Sequence, residues 1–422
     1  MEKTTRFSLG TGGGSEFSPR EILSAAAKRV GVLALPLPAL LLEDLAVPVP
    51  AFTSRSRLLL FAPHPDDESL GCSILLQRAV RARAMIRVVY VTDGDDNPWP
   101  QRVLERKWRL NGNDRRRWGR LRRTEALAAL RVLGMHGSAA CFLGLPDQKL
   151  SAMLMRGDQS ALERFAAIIA DWGPTDLLVP SISDTHPDHS ALAVMLRLVL
   201  SESFSDPVAT GQTAVWSYVV HGRSLAFFDR AETICQSDIE AATKLRAIRC
   251  HKTQLKLSRK RFLGYAVRPE RLVKLGARDK TIADGLITSA FRLPHSLRVE
   301  LRLSPKAMRM SEPVLFVLGR DEAGALRCMT VRIPAQSSRI EMLDSSSLDC
   351  IAEAQYCGNA FAGGLTIPVS IFSSASAIFV KLERRSWFFD EAGWVKIPPP
   401  ESQPIAKPQR DEVEAGLMSI GT

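Results

Sequence analysis

Short apolar runs alternate with longer amphipathic segments from residue 57 onward, and this alternation limits the possible folds more than any other feature. Residues 57–62, 86–92, 139–143, 176–179 and 213–220 are predicted strands. Helical patterns lie between them, at residues 68–83, 121–133, 160–171 and 189–200. Strands that alternate with helices form a mostly parallel sheet with helices on both faces. The sequence therefore predicts an α/β fold.

The texture changes beyond residue 286, where short apolar runs are separated by turns, as at residues 314–318, 328–333, 377–382 and 387–394. This pattern is typical of antiparallel β structure. A chain of 422 residues is also too long for one ordinary domain. We predict an N-terminal extension over residues 1–52 with a short helix capped at Ser18, an α/β domain over 53–286, a small antiparallel β-rich domain over 287–397 and a disordered tail over 398–422.

The composition gives no sign of secretion or of a membrane span. Seven scattered cysteines without a CxxC pair indicate neither a disulfide framework nor a cysteine zinc site. The N-terminus lacks the apolar core of a signal peptide. The most apolar run, residues 30–42, contains Pro36 and Pro38 and is shorter than the roughly 20 residues that a spanning helix needs. We expect a cytoplasmic protein in which this run is buried, with peripheral contact to the inner face of a membrane as the alternative.

The formal net charge of +11 is concentrated in two segments. Residues 101–131 hold eleven Lys and Arg against three acidic residues, and residues 244–280 hold thirteen against two. Such segments attract phosphates, acidic glycans, nucleic acid or lipid surfaces, unless they are only solvated helix faces and loops. Because no helix-turn-helix or RNA-binding motif accompanies the charge, a nucleic-acid partner is not expected. The oligomeric state is not indicated.

Two clusters of His and Asp follow predicted strands. The segment His64-Pro65-Asp66-Asp67-Glu68 follows the first strand, and His186-Pro187-Asp188-His189 follows the strand at 176–179. Ligands of open α/β sheets bind at the carboxyl ends of strands, so the clusters are expected to converge. His64, Asp67 and His189 match the three protein ligands of a hydrolytic zinc site that leaves one position open for water. Iron or cobalt could replace zinc with these ligands.

The other polar residues of the clusters suggest catalytic roles. A zinc-bound water has a pKa of about 7, and Asp66 is the nearest carboxylate left to act as its general base. His186 is expected to stabilise the oxyanion or to protonate the leaving amine, with Asp184 or Asp188 orienting its ring. Taken alone, Asp66 or Asp67 would more simply cap the following helix, and His64 would be an ordinary loop residue.

This motif set resembles a known family. Residues 63–71 (PHPDDESLG), Thr92-Asp93-Gly94 and His186-Pro187-Asp188-His189 resemble motifs of the PIG-L/LmbE-like zinc-dependent N-acetylglucosamine de-N-acetylases, over about residues 57–255. The resemblance implies a Rossmann-like sheet and a hydrolase in which metal-bound water attacks the amide of an N-acetylated amino sugar. It also implies His64, Asp67 and His189 as metal ligands, Asp66 as general base and His186 as electrophilic partner.

Two further positions follow from the resemblance. Arg122, in Arg122-Arg123-Thr124-Glu125, resembles the arginine of an Arg-x-x-Glu helix that meets the substrate. Asp147, at the end of residues 143–147 (LGLPD), resembles an aspartate that binds sugar hydroxyls. Together with the basic segments, these positions imply an amino-sugar substrate on an anionic carrier.

The segment 95–120 departs from the family because it is long and basic and carries three tryptophans. We predict a loop there, which binds a phosphorylated sugar or lipid head group or forms a lid. Two other functions stay open at this point. One is hydrolysis of a different amide, such as a thiol conjugate, and the other is non-catalytic glycan binding.

Overall fold

A computed structural model describes residues 49–202, 213–222, 224–276, 285–303, 313–383, 385–386 and 389–400. These residues form a mixed α/β structure with a mostly parallel sheet and a separate antiparallel sheet. The predicted helix after Ser18, the apolar run 30–42 and the predicted tail beyond residue 400 lie outside the described residues. In the part of the chain that is described, no helix has the length and apolarity needed to cross a membrane.

The first sheet positions the two His/Asp clusters. Its strands in the described residues are β1 (Arg57–Ala62), β2 (Met85–Thr92), β3 (Ala140–Leu145), β4 (Asp176–Pro180), β5 (Ala214–Tyr218), β6 (Glu232–Ile234) and β7 (Glu270–Lys274). Their order is β3-β2-β1-β4-β5-β7-β6, with parallel pairing from β3 to β5 and antiparallel pairing of β7 with β5 and β6. From β1 to β3 successive strands are added on one side of β1, and β4 and β5 are added on the other side. This change of side leaves a crevice at the carboxyl ends of β1 and β4.

The described helices cover this sheet and frame its upper edge. They are α1 (Asp67–Gly71), α2 (Ser73–Arg81), α3 (Pro98–Glu105), α4 (Gly112–Val132), α5 (Leu150–Met155), α6 (Gln159–Trp172), α7 (Pro187–Glu202), α8 (Leu225–Arg230), α9 (Asp238–Ile248) and α10 (Lys252–Leu263).

Alternate residues of β1 face two different cores. Leu59 and Phe61 belong to a cluster with side chains of α6 and α7, whereas Leu58 and Leu60 belong to a cluster with side chains of α2 and α4. All four are fully buried. Helices therefore cover both faces of the sheet, which explains why β1 is a continuous apolar run rather than an alternating one.

The helix predicted over residues 68–83 is two helices, separated at Cys72. The break is stabilised from outside, because the carboxylate of Glu270 accepts the backbone N–H groups of Ile74 (2.9 and 3.0 Å) and Leu75 (3.4 Å). Lys244 donates to the same buried carboxylate at 3.0 Å. An acidic group at a helix N-terminus supplies acceptors for N–H groups that have no partner within the helix.

The prediction of a loop over residues 95–120 is wrong, since most of the segment is helical. The side chain of Asn97 caps α3, and Asn111 with Asp114 forms a capping box at the start of α4. α4 therefore begins nine residues earlier than the predicted helix at residue 121, and it buries Trp118 against the core. Ser237 and Glu240 form a capping box at the start of α9, which ends at Ile248.

The second sheet is antiparallel. Its strands in the described residues are β8 (Ile287–Arg292), β9 (Ser296–Arg302), β10 (Val314–Arg320), β11 (Leu326–Arg332), β12 (Gln336–Asp344), β13 (Cys350–Asn359), β14 (Ala362–Pro368), β15 (Ile378–Glu383) and β18 (Val395–Ile397). Two short strands between β15 and β18, β16 (Arg385–Ser386) and β17 (Phe389–Asp390), pair only with each other among the described strands. Their order is β18-β15-β10-β11-β12-β13-β14-β9-β8.

The two sheets share one core cluster. Phe316 and Leu318 of β10 lie in the same cluster as Leu154 of α5 and Phe165 of α6, whereas the alternate residues of β10 face a core within the second sheet. The antiparallel sheet therefore packs directly on helices of the α/β part. The predicted domain boundary near residue 286 falls between β7 and β8.

Candidate metal and catalytic site

The two His/Asp clusters meet at the switch in strand order. His64 to Asp67 follow β1, and Asp184 to His189 follow β4 and lead into α7. The ring centroids of His64 and His189 are 5.2 Å apart, although 125 residues separate them in sequence. His64, Asp67 and His189 are all buried.

Three donor atoms form a nearly equilateral triangle. The His64 Nδ1 atom lies 3.3 Å from Asp67 Oδ2 and 3.2 Å from His189 Nε2, and the latter two atoms are 3.2 Å apart. A tetrahedral zinc ion with bonds of about 2.0–2.2 Å holds its donor atoms about 3.3–3.6 Å apart. The three predicted ligands therefore fit one divalent cation with a small outward adjustment.

The far nitrogen of each histidine faces a carboxylate. His64 Nε2 lies 3.1 Å from Asp147 Oδ1 and 3.5 Å from Asp188 Oδ2, and His189 Nδ1 lies 3.2 Å from Asp184 Oδ2. A carboxylate behind a histidine fixes the tautomer that leaves the other nitrogen free to bind a cation. This arrangement favours Nδ1 of His64 and Nε2 of His189 as donors.

Other triples of side chains also bring their donor atoms within 4.8 Å of one another: His64 with His186 and His189, Asp67 with His189 and His221, and His64 with Asp147 and Asp188. The last triple is the least suited to a cation, because each of its carboxylates already accepts two backbone N–H groups, whereas Asp67 accepts one, from His64 at 2.9 Å. Asp147 accepts those of Asp96 and Gln148, and Asp188 accepts those of Gln148 and Leu150.

The electrostatic field at the triangle favours positive charge. Burial lowers the pKa of His189, but Asp67 and Asp184 outweigh burial and raise it to about 9. Burial likewise lowers the pKa of His64, and hydrogen bonds with Asp147, Asp188 and Asp67 raise it well above the usual value. Carboxylates that hold protons on two buried imidazoles so strongly provide the negative charge that a buried dication needs.

Asp66 lies beside the triangle in a rare backbone conformation. Its φ is +135°, a region that non-glycine residues seldom adopt and that costs about 1–3 kcal/mol. Its backbone N–H donates to Glu68 Oε2 at 3.0 Å, which helps to hold this conformation. Burial raises the pKa of the carboxyl, Arg122 lowers it and Asp67 raises it, for a net value of about 6. A carboxylate with a pKa near neutrality suits proton transfer.

Arg122 holds the loop that carries Asp66. Its Nη2 atom donates to the carbonyl of Pro65 at 2.6 Å and to Asp66 Oδ2 at 2.9 Å, and its Nη1 atom donates to the carbonyl of Gly94 at 2.7 Å. Gly94 has a φ of +62°, and a Cβ atom there would lie 1.6 Å from Nη1 of Arg122. A side chain at position 94 would therefore displace Arg122 from these contacts. Contact of Arg122 with substrate stays a prediction.

The carboxylates expected to orient His186 or to bind the sugar contact His64 and His189 instead. Asp184 and Asp188, expected to orient His186, lie against His189 and His64 respectively. Nδ1 of His186 instead accepts the backbone N–H of Asp188 at 3.3 Å. Asp147, predicted to bind sugar hydroxyls, contacts Nε2 of His64, although it also lines the cavity described below.

Three residues of the site were not predicted. His221 follows β5 and its ring centroid lies 5.1 Å from that of His189. The strand-end rule that identified His64 could have found it. His251 contacts Glu68 at 3.1 Å beneath the Asp66 loop. Phe389, in the short strand β17, packs against His186 and His221, and no sequence pattern indicates this.

A cavity of about 550 Å³ opens over the triangle. Its floor includes His64, Asp66, Asp67 and His186, and its sides include residues of α3 and α10. This volume lies within the range of about 300–1,000 Å³ of small-molecule sites. The floor can hold a cation and its sides leave space for a sugar-sized group.

Comparison with known proteins agrees with the family suggested by the motifs. Residues 59–200 match the model of the PIG-L family, described as GlcNAc-PI de-N-acetylase. The matched residues include all nine predicted site residues.

Individual relatives cover only part of the chain. A 1D-myo-inositol 2-acetamido-2-deoxy-alpha-D-glucopyranoside deacetylase of Mycobacterium avium (strain 104) is 30% identical over 148 residues, which are 32% of this chain and 47% of that protein. The match thus spans about half the length of this curated relative.

Two solved structures are also similar. The A40926 pseudoaglycone deacetylase Dbv21 is 21% identical, with a TM-score of 0.36, over 49% of this chain and 85% of that one. The 4-carboxy-2-hydroxymuconate hydratase GalB of Pseudomonas putida KT2440 is 18% identical, with a TM-score of 0.38, over 53% of this chain and 98% of that one. The case for a reaction therefore rests on the site's own side chains.

Proposed function

We propose that this protein is a metal-dependent hydrolase that releases acetate from an N-acetylated amino sugar. The observation that carries the proposal is the triangle of His64, Asp67 and His189 donor atoms, with the carboxylate of Asp66 beside it and paired with Arg122. The name of the matching family and that of the curated relative support an N-acetylated glucosamine substrate.

Zinc is the proposed cation, held by His64 Nδ1, Asp67 Oδ2 and His189 Nε2, and iron or cobalt would fit the same donors. When bound, such an ion supplies a Lewis acid that polarises a carbonyl and lowers the pKa of water to about 7. The two carboxylates Asp147 and Asp184 orient the ligand histidines from behind.

The chain's own residues supply the proton transfers. Asp66 accepts a proton from the attacking water as the C–O bond forms, and returns it to the leaving nitrogen as the amide C–N bond breaks. The products are acetate and the free amine. His186 is the oxyanion partner, since its Nδ1 accepts a backbone N–H and its Nε2 is then the protonated nitrogen that can donate. Burial and the neighbouring histidines lower the pKa of His186 well below its usual value, which keeps the ring neutral.

The rim of the cavity supports an anionic carrier for the sugar. Trp99, Val103 and Leu257 line the cavity and are each at least 40% exposed. α10 carries five basic residues, of which Arg261 lines the cavity: Lys252, Lys256, Arg259, Lys260 and Arg261. Apolar and basic side chains together suit a phosphorylated or lipid-linked carrier, and the same rim would allow peripheral contact with an anionic membrane surface.

The proposed catalytic domain spans residues 53–286 and the β-rich domain residues 287–397. The cytoplasm is the proposed compartment, because all seven cysteines are free.

Product analysis tests the proposal. Purified, zinc-loaded protein is incubated with free, nucleotide-linked and lipid-linked N-acetylglucosamine and with a thiol conjugate of an N-acetylated sugar. We expect acetate and a primary amine in equal amounts from at least one carrier-linked sugar. Asp66→Asn should keep the metal and lose about a hundred- to ten-thousandfold in kcat. Equal activity of metal-free protein, or no acetate from any substrate, would overturn the proposal.

A further inference from the structure

Residues 389–394, which lie between β15 and β18 and include β17 of the short β16–β17 pair, reach the catalytic loop. The backbone N–H of Asp390 donates to the carbonyl of Thr185 at 2.8 Å, and that of Trp394 donates to the carbonyl of Ile182 at 2.7 Å. At Gly393 the two segments touch, since a Cβ atom there would lie 2.0 Å from the carbonyl oxygen of Ile182. The loop that carries Asp184 and His186 is therefore bound to this segment at Ile182 and Thr185.

Buried side chains anchor this segment. Lys381 of β15 forms an ion pair with Asp390, and both side chains are at least 95% buried. The Nζ atom of Lys381 also lies 5.7 Å from the ring centroid of Trp394, which belongs to the core cluster shared by the two sheets. Buried ion pairs hold geometry strictly, because separation of the charges leaves each one unsolvated. The segment is thus fixed relative to the loop it contacts.

Phe389 forms one wall of the cavity. Its ring centroid lies 5.7 Å from that of His186 and 5.2 Å from that of His221, both in edge-to-face geometry. The guanidinium of Arg261 lies 4.9 Å from the same ring centroid, on the rim. Phe389 therefore limits the space beside His186, and it lies far outside the segment 59–200 that matches the family model.

We propose that the chain between β15 and β18 completes the catalytic site, with residues 389–394 positioning the His186 loop and Phe389 limiting the size of the acyl group that is cleaved. This inference rests on the proposed function. A carbonyl that accepts a hydrogen bond from His186 has its acyl substituent next to that ring. Phe389 packs on the ring and so bounds the space for the substituent. An acetyl group fits this space, and longer acyl groups compete with Phe389 for it.

The first experiment does not depend on activity. Zinc-loaded wild type, Phe389→Ala and Phe361→Ala are treated with diethyl pyrocarbonate, and modification of each histidine is followed by peptide mass spectrometry. Phe361 is a control of the same residue type: it lies in the turn between β13 and β14, outside the cavity lining, and is 54% exposed. We expect faster modification of His186 and His221 in Phe389→Ala only. Equal rates in all three proteins would overturn the placement of Phe389 against these rings.

The second experiment measures selectivity. The ratio of kcat/KM for N-acetyl to N-butyryl substrate is compared in the same proteins and in Phe389→Leu. We expect the ratio to fall at least about tenfold in Phe389→Ala, in line with the contribution of a methylene to fit in an apolar pocket. The ratio for Phe389→Leu should lie between those of wild type and Phe389→Ala. The ratio for Phe361→Ala should equal that of wild type.

The outcomes separate the two proposals. An unchanged ratio with active enzyme would overturn the selectivity role of Phe389 and leave the proposed function intact. Wild type that is inactive on every N-acyl sugar would overturn the proposed function, and the role in acyl selectivity that rests on it. The modification rates would still decide whether Phe389 shields His186.

Discussion

Replacement of Arg122 by glutamine should shift the pH dependence of catalysis. Arg122 donates to Asp66 at 2.9 Å, and both side chains are more than 90% buried. A neighbouring arginine lowers the pKa of an aspartate by about 1–3 units. Its removal therefore raises the pKa of Asp66 by that amount. Asp66 acts as a carboxylate, so the variant loses activity on the acid side and regains it as the pH rises.

The magnitude follows from this shift. Each unit corresponds to about 1.36 kcal/mol, or a tenfold loss of ionised Asp66 at pH values below its pKa. The acid limb of kcat/KM should thus move upward by about 1–3 pH units in Arg122→Gln. A bound dication lowers the pKa of Asp66 in both proteins, so the difference between their acid limbs is the quantity that matters.

The assay is kcat/KM for acetate release between about pH 5 and pH 10, with metal content measured in parallel. Arg123→Gln is the matched control: Arg123 is the next residue of α4 and instead pairs with Asp93, at 2.7 and 2.6 Å. It should keep the acid limb of the wild type. An unmoved limb in Arg122→Gln would refute the reasoning. A uniform loss at every pH, with raised KM, would instead show that Arg122 binds substrate.

Three further predictions follow from individual contacts. Asp184→Asn should weaken zinc affinity about 10- to 100-fold, because Asp184 orients His189, and competition with a chelator measures this; unchanged affinity would contradict the role. Gly94→Ala should lose activity, because its Cβ displaces Arg122, whereas Gly324→Ala, also at positive φ but with open space around it, should lose only stability in urea unfolding. Glu240→Gln should destabilise the protein by up to about 3 kcal/mol at pH 7. Burial raises the pKa of Glu240, but Arg78, the Ser237 N–H and Arg81 outweigh burial and lower it to about 2. The stabilisation by Glu240 is therefore complete above the pKa of glutamate in the unfolded chain, and it is lost as the pH falls toward 2. The free energies of unfolding of wild type and Glu240→Gln, measured in urea, should become equal there. A difference between them that does not change with pH would contradict this.

The sequence predicted the features that depend on local pattern. Continuous apolar runs identified β1 and β4, because a strand buried on both faces has no polar side. Because sites lie at the carboxyl ends of such strands, His64 and His189 were predicted to lie close together. Their ring centroids are 5.2 Å apart.

Features that depend on distant packing were missed. The break at Cys72 is stabilised by Glu270, almost 200 residues away. α3 is only eight residues long and the first part of α4 lacks an apolar stripe, and their start signals, the caps at Asn97 and Asn111, were overlooked among basic residues. The place of Phe389 in the cavity depends on how two sheets pack, which the order of residues around it does not indicate.

The most direct measurement is anomalous X-ray diffraction at the zinc edge from crystals of the zinc-loaded protein. The account predicts one strong peak, about 2.0–2.2 Å from His64 Nδ1, Asp67 Oδ2 and His189 Nε2. It also predicts that the carboxylate of Asp66 is not bound to the ion. No peak at this site, or a peak bound by Asp147 and Asp188 on the Nε2 side of His64, would contradict it.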